Sequence, residues 1–145
     1  MDKKQSFDKQ AEIWEETWYP EEVMKRICPF VAKFRVKRGA CILNIGTKIR
    51  ILPPLLKRKV GGNGKIFAMD PSHEVLKKVK KKKTKVPLLC IQADVENIPL
   101  PDDFCDHIIC FAVFPNLSNQ RKALLEMTRV LKHKGKILIA HIICA

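Results

Sequence analysis

From residue 40 onward, short apolar runs rich in β-branched residues alternate with segments of helical periodicity, and this alternation narrows the fold more than any other feature of the chain. Parallel strands cannot be joined by a tight turn, so the chain must cross over the sheet between them, commonly as a helix. The predicted strands are Ala40–Ile45, Lys65–Met69, Leu88–Gln92, His107–Val113 and Lys136–Ile143. Their near-continuous hydrophobicity suits strands covered on both faces. Helices are predicted near 50–60, 72–83 and 118–132, the last with Leu124, Met127 and Leu131 as its buried stripe, Ser118 as N-cap and Gly135 as terminator. Gly61 to Gly64 reads as a turn and Pro99 to Asp103 as a surface loop. The expected class is α/β: a Rossmann-like three-layer sandwich with a mainly parallel sheet of about five strands and crossover helices.

The first 39 residues differ in kind. Phe7, Ala11, Trp14 and Trp18 fall on one helical stripe, Pro20 can begin a second helix running to about Phe34, and no strand signal precedes Cys41. Residues 1–39 are therefore expected to form an N-terminal helical appendage, and 40–145 the α/β domain. No Pro-, Gly- or Ser-rich linker separates them, so a single shared core is expected. The tryptophan stripe reads either as part of that core or as a lid over a ligand.

Apolar residues make up 46% of the chain and charged residues 30%, a balance that excludes a disordered or collagen-like chain. No apolar segment follows the amino-terminal lysines, and no stretch approaches the roughly 18 apolar residues of a membrane span. A cytoplasmic protein with no membrane association is expected. Cys28, Cys41, Cys90, Cys105, Cys110 and Cys144 lack any C-x-x-C pair and read as small core hydrophobes in a reducing compartment. The net charge is +13, and about half of that excess comes from Lys77, Lys78, Lys80, Lys81, Lys82, Lys83 and Lys85. A charge run so local is more often a solvated helix end than a nucleic-acid site, and few aromatic residues lie near it for base stacking. No two histidines among His73, His107, His133 and His141 have the spacing of a metal site.

In an open parallel sheet, ligands bind beyond the carboxyl ends of the strands, so the residues that follow each strand carry the functional reading. After the first strand comes Asn44-Ile45-Gly46-Thr47-Lys48, after the second Met69-Asp70-Pro71-Ser72, after the third Gln92-Ala93-Asp94-Val95, and after the fourth Phe114-Pro115-Asn116. Gly46 permits a tight turn and close backbone approach to a ligand, Asp70 can accept from ribose hydroxyls, and Asp94 from an exocyclic amine. Taken singly, each acid reads equally well as a helix N-cap or a turn residue.

Together these segments resemble class I S-adenosylmethionine-dependent methyltransferases, specifically the small methyltransferase-domain proteins grouped as type 11. The resemblance covers residues 41 to 143. Its most specific parts are Asp94-Val-Glu-Asn-Ile-Pro-Leu-Pro-Asp-Asp103 and Glu126-Met-Thr-Arg-Val-Leu-Lys-His-Lys-Gly135. It implies S-adenosylmethionine as cofactor and a small-molecule methyl acceptor. On the family pattern, Gly46 and Thr47 begin the loop under the methionine moiety, Asp70 and Pro71 lie at the ribose, Asp94 and Val95 at the adenine, and Phe111 beside cofactor and substrate. Asn44 stands where the family usually has an acid.

Because the sulfonium carries its own driving force, no obligatory acid or base is implied. Asn116 and His141 are candidates for orienting or deprotonating an acceptor. A small metabolite or lipid-like acceptor is expected rather than DNA, because the Asn/Asp-Pro-Pro-aromatic pattern is absent.

The chain departs from the family in two ways. The Gly-x-Gly-x-Gly loop is here Gly46-Thr47-Lys48-Ile49-Arg50, with cations at the second and third glycine positions, which should obstruct close backbone approach. The sequence also stops at Ala145, before the family's final helix and hairpin, so strand five is expected to be an edge that pairs with a second copy or a partner. Two functions follow as alternatives: a methyltransferase acting on a small acceptor, or a non-catalytic remnant of that fold serving as a binding or assembly subunit.

Overall fold

The computed structural model describes residues 29–46, 52–81, 88–111 and 113–141. Five strands form one sheet: β1 (Cys41–Ile45), β2 (Lys65–Asp70), β3 (Leu88–Gln92), β4 (Cys105–Phe111) and β5 (Leu131–Ala140). Their order is β3-β2-β1-β4-β5 and every neighbouring pair is parallel. Helix α1 (Leu52–Val60) links β1 to β2, α2 (His73–Lys81) links β2 to β3, and α3 (Gln120–Val130) links β4 to β5. The expected α/β three-layer class is what the chain adopts.

Successive side chains of each strand enter two different cores, as the two-residue period of a strand requires. Ile42, Ile66, Ile109 and Phe111 pack with Leu56 and Val60 of α1 and with Val31. Leu43, Ile45, Ile108 and Cys110 pack with Ala123, Met127 and Val130 of α3 and with Val95 and Ile98. Right-handed crossovers running outward in opposite directions from β1 place helices on opposite faces.

The carboxyl half of the chain corrects several expectations. Strand β4 is Cys105–Phe111, shifted from the expected His107–Val113, because Val113 caps a 3-10 turn at Phe114–Asn116 with Pro115 in its first positions. The N-cap of α3 is Asn119, not Ser118: the Asn119 side chain accepts from the Lys122 N–H at 3.0 Å, while the Ser118 hydroxyl contacts Glu96 at 3.4 Å. The buried stripe of α3 is Ala123, Met127 and Val130, whereas Leu124 is 40% exposed.

Gly135 does not terminate α3. The helix stops at Leu131, which turns extended and pairs with Cys105; the next matched pair is His107 with Lys136. The intervening β5 residues bulge, with Lys134 at φ 67°. Gly135 is required there by close approach: a Cβ would lie 2.8 Å from the Asp106 carbonyl oxygen and 2.6 Å from the Leu131 side chain.

Strand β5 is Leu131–Ala140 rather than Lys136–Ile143, and residues 142–145 lie outside the described residues. The expected Trp14 and Trp18 stripe also lies outside them; residues 29–33 are helical. Among the described residues no helix is long and apolar enough to cross a membrane.

Candidate cofactor cleft

Strand order reverses at β1, whose neighbours β2 and β4 lead to opposite edges of the sheet. A cleft opens at the carboxyl ends of these strands, where such a reversal leaves room for a ligand. It holds about 660 Å³ of empty space when its open mouth is counted. Its walls are Ile45 and Gly46 from β1, Met69 to Pro71 from β2, Ala93 to Glu96 after β3, and Val113 with Asn116 to Ser118 after β4.

Gly46 is held by its backbone. Its φ is +81°, in the left-handed region, and its N–H donates to the Met69 carbonyl at 3.2 Å. A Cβ here would collide with the Val113 side chain and lie 2.5 Å from the Phe111 carbonyl oxygen. Only glycine satisfies both conditions without strain.

Asp70 ends β2 almost fully buried, and its Oδ1 accepts the Ser72 N–H at 2.9 Å. Asp94 is exposed on the turn after β3, with Oδ1 accepting from the Glu96 N–H at 3.0 Å. Both acids therefore hold local turns and also line the cleft; the two readings of each are compatible. Val95 is buried beside them, and the cleft's apolar surface comes from Ile45, Met69, Ala93, Val95, Val113 and Leu117.

Of the residues singled out from sequence, Gly46, Asp70, Pro71, Asp94 and Val95 meet in this cleft. The side chains of Asn44 and Phe111 do not line it. Phe111 packs in the α1 core and presents only its carbonyl toward Gly46. Asn44 is fully buried, and neither its amide nitrogen nor its oxygen has a hydrogen-bond partner among the described residues. Thr47, Lys48 and Arg50 lie outside the described residues. Asn116 lines the cleft and His141, just past β5, does not.

Sequence reading placed Phe114-Pro115-Asn116 after the fourth strand, and Asn116 lines the cleft; it missed Val113, Leu117 and Ser118, which a 3-10 turn positions. It also missed how that wall is fixed: Glu96 Oε1 accepts the Asn119 N–H at 2.9 Å, tying the turn after β3 to the start of α3. The rest of this crossover is held by Glu126 and Arg129. Glu126 Oε2 accepts the Ile98 N–H at 2.9 Å. Arg129 donates to the carbonyls of Ile98 and Leu100 at 2.9 Å each, to Asp102 at 2.8 Å and to Glu126 at 2.8 Å. The Arg129 guanidinium holds the Glu126 carboxyl below its usual range.

Comparison with known proteins agrees with this geometry. A family model described as a methyltransferase domain matches residues 43–139. The chain is 30% identical over 113 residues to a ubiquinone/menaquinone biosynthesis C-methyltransferase UbiE of Marinomonas sp. (strain MWYL1), covering 75% of this chain and 45% of the relative, so it spans less than half the length of that protein. The crystal structure of a SAM-dependent methyltransferase from Aquifex aeolicus superposes with a TM-score of 0.65 at 30% identity, over 86% of this chain and 67% of that one. A protein described as a methyltransferase, in complex with the Haloferax volcanii Trm112 methyltransferase activator, shares the fold at a TM-score of 0.81 and 20% identity, over 92% of this chain and 58% of that one. With its strand order, its cleft at the reversal point and a family match running from β1 to β5, the chain belongs to the methyltransferase-domain family.

Proposed function

We propose that the cleft binds S-adenosylmethionine and that the protein transfers its methyl group to a small organic acceptor. S-adenosylmethionine is the cofactor the family implies. The observation that carries the reading is the convergence of Gly46, Asp70 and Asp94 on one apolar cleft at the point where strand order reverses. The donor set suits a nucleoside: a carboxylate for ribose hydroxyls, a second for an exocyclic amine, and apolar walls for the base.

In this reading Asp70, oriented by the Ser72 N–H, holds the ribose together with Pro71, and Asp94 with Val95 holds the adenine. Gly46 and Thr47 lie under the methionine portion. Asn44, whose buried amide has no partner among the described residues, offers a polar group near the end of β1, and Phe111 contributes through the backbone that meets Gly46. When bound, the cofactor supplies a methyl group on a sulfonium, which needs no acid or base to leave. The work left to the chain is to exclude water and to align an acceptor, for which Asn116 is the candidate on the cleft wall. The printed name of the Marinomonas relative, a C-methyltransferase of quinone biosynthesis, favours a small or lipid-like acceptor over a macromolecule.

The appendage, residues 1–39, is proposed to share the α1-side core of the domain spanning 40–145, a reading supported by the burial of Val31 there. Isothermal titration with S-adenosylmethionine and its demethylated product tests the proposal. Heat of binding with a thermal shift supports it; neither signal at millimolar ligand removes cofactor binding.

The alternative, a non-catalytic binding or assembly subunit, is favoured by Lys48 and Arg50 at the family's glycine positions. Its docking surface would be the edge of β5, where Ile139 is 40% exposed. Tight cofactor binding that appears only in the Lys48→Gly, Arg50→Gly double variant would identify the natural chain as that subunit. Light scattering showing a stable monomer at high concentration would exclude self-association through β5.

A further inference from the structure

We propose that Cys41 and Cys105 form an oxidisable thiol pair, which a peroxide converts into an intramolecular disulfide joining β1 to β4. The two residues stand at the amino ends of adjacent central strands, at the opposite end of the sheet from the cleft. Continuing the register of Ile42 with His107 by one step sets Cys41 beside Asp106, so Cys105 is displaced by a single residue. A strand separation of about 4.8 Å with an offset of about 3.3 Å gives a Cα separation of about 5.8 Å, inside the range a disulfide requires. Both side chains face the same core cluster, because the irregularity between Cys105 and His107 breaks the alternation of β4 there.

Their surroundings differ in a way that divides the chemistry between them. Cys105 is completely buried, whereas Cys41 is half-buried and open to a small oxidant. Asp106 binds the Cys41 N–H at 2.8 Å and Lys132 at 3.5 Å, which brings an ammonium group to the pair. The neighbouring Cys105 side chain, with Lys132 and Lys65 nearby, holds the Cys41 thiol below its ordinary value against burial and Asp106. The neighbouring Cys41 side chain and burial push the Cys105 thiol up. Cys110, by contrast, is pushed up to about 11 by burial and is an internal control.

With hydrogen peroxide as oxidant, the Cys41 thiolate attacks one peroxide oxygen, breaking the O–O bond and leaving a sulfenic acid and hydroxide. The Cys105 sulfur then attacks the Cys41 sulfur, and the Cys105 proton leaves with the hydroxyl as water. The sum is two thiols and one peroxide giving one disulfide and two waters, the electron pair passing from sulfur to peroxide oxygen.

The test treats the full chain with hydrogen peroxide, blocks remaining thiols by alkylation without reduction, and maps cross-linked peptides by tandem mass spectrometry. The expected product joins Cys41 to Cys105 and disappears on treatment with dithiothreitol, while Cys110 stays alkylatable in the unfolded, blocked sample. In Cys105→Ser, the expected product is a Cys41 sulfenic acid trapped by dimedone. Equal alkylation of Cys41 and Cys105 before and after peroxide, or a disulfide joining a different pair, overturns the proposal. The unsubstituted protein alone separates these outcomes, whether or not the variant folds.

Discussion

Replacing Gly46 with alanine tests whether the cleft depends on the close approach of β1 to β4. Two costs add. At φ +81°, a residue bearing a Cβ pays about 1–2 kcal/mol for left-handed backbone. The new methyl also meets the Val113 side chain, which can rotate, and the Phe111 carbonyl at 2.5 Å, which cannot retreat easily because β4 is paired on both sides by β1 and β5. Overpacking of this kind costs about 1–3 kcal/mol. The total of about 2–5 kcal/mol corresponds to a melting temperature lowered by roughly 5–15 °C for a chain of this size. Gly62→Ala is the control, since a Cβ there meets nothing within 4 Å. Thermal melts of both variants beside the parent protein measure the difference, and titration well below the melting point should find S-adenosylmethionine binding weakened at least tenfold in Gly46→Ala. If Gly46→Ala melts together with Gly62→Ala and binds like the parent, the close approach does not shape the cleft.

Three further expectations concern stability and local order. Met127→Ala removes a fully buried side chain from the α3-side core and should cost about 2–5 kcal/mol in urea denaturation; a loss below about 1 kcal/mol would mean that α3 does not pack as described. Arg129→Met should speed amide hydrogen exchange selectively across residues 98–103, whose carbonyls and Asp102 it holds; unchanged exchange there would reduce the network to a surface feature. His107 is buried against Phe34, accepts from the Lys37 N–H at 3.5 Å and has its pKa lowered by burial, with Asp106 opposing that shift and Lys136 reinforcing it. The folded state therefore binds fewer protons than the unfolded one below about pH 6.5, so stability from this group is present above that pH and is lost as pH falls toward the folded pKa. Urea midpoints at neutral and mildly acidic pH should diverge in the parent and converge in His107→Gln; an identical pH profile in the two proteins would mean that His107 does not couple folding to pH.

Where apolar residues dominate a short run, as in the expected Ala40–Ile45, observed as Cys41–Ile45, and in Leu88–Gln92, sequence pattern and structure agree on the strand. The pattern loses its resolution where one residue type suits two states. Leu131 extends the apolar periodicity of α3, yet it is the first residue of β5; Val113 extends that of β4, yet it caps a turn. On α3, the leucines at 124 and 125 are as apolar as the residues that are buried, so side-chain type alone cannot select the face, and contact with Ile108 and Cys110 of the sheet does. At the cleft, the acids after β2 and β3 were legible because parallel strands deliver their carboxyl ends to one place. Of the wall after β4 only Asn116 was, because the placing of Val113, Leu117 and Ser118 depends on a turn that hydrophobic periodicity does not encode.

The two most specific sequence segments, Asp94 to Asp103 and Glu126 to Gly135, prove to be two halves of one support. Among the described residues, the crossover from β3 to β4 contains no helix, so the backbone groups of its loop have no regular ladder to satisfy them. Arg129 fits that need by geometry: its planar fork offers several donors at once, and it closes on the Ile98 and Leu100 carbonyls while Glu126 accepts the Ile98 N–H. A lysine could supply the charge but not the fork. Glu96 makes the complementary tie, accepting from Asn119 at the other end of α3. Helix α3 thereby clamps the loop at both of its ends, and Asp94 and Val95 are carried on the clamped segment at the mouth of the cleft. The Glu-x-x-Arg pattern thus contributes to the site through backbone positioning, at a distance from any reacting atom, and Gly135 lets the bulged start of β5 lie against the Asp106 carbonyl.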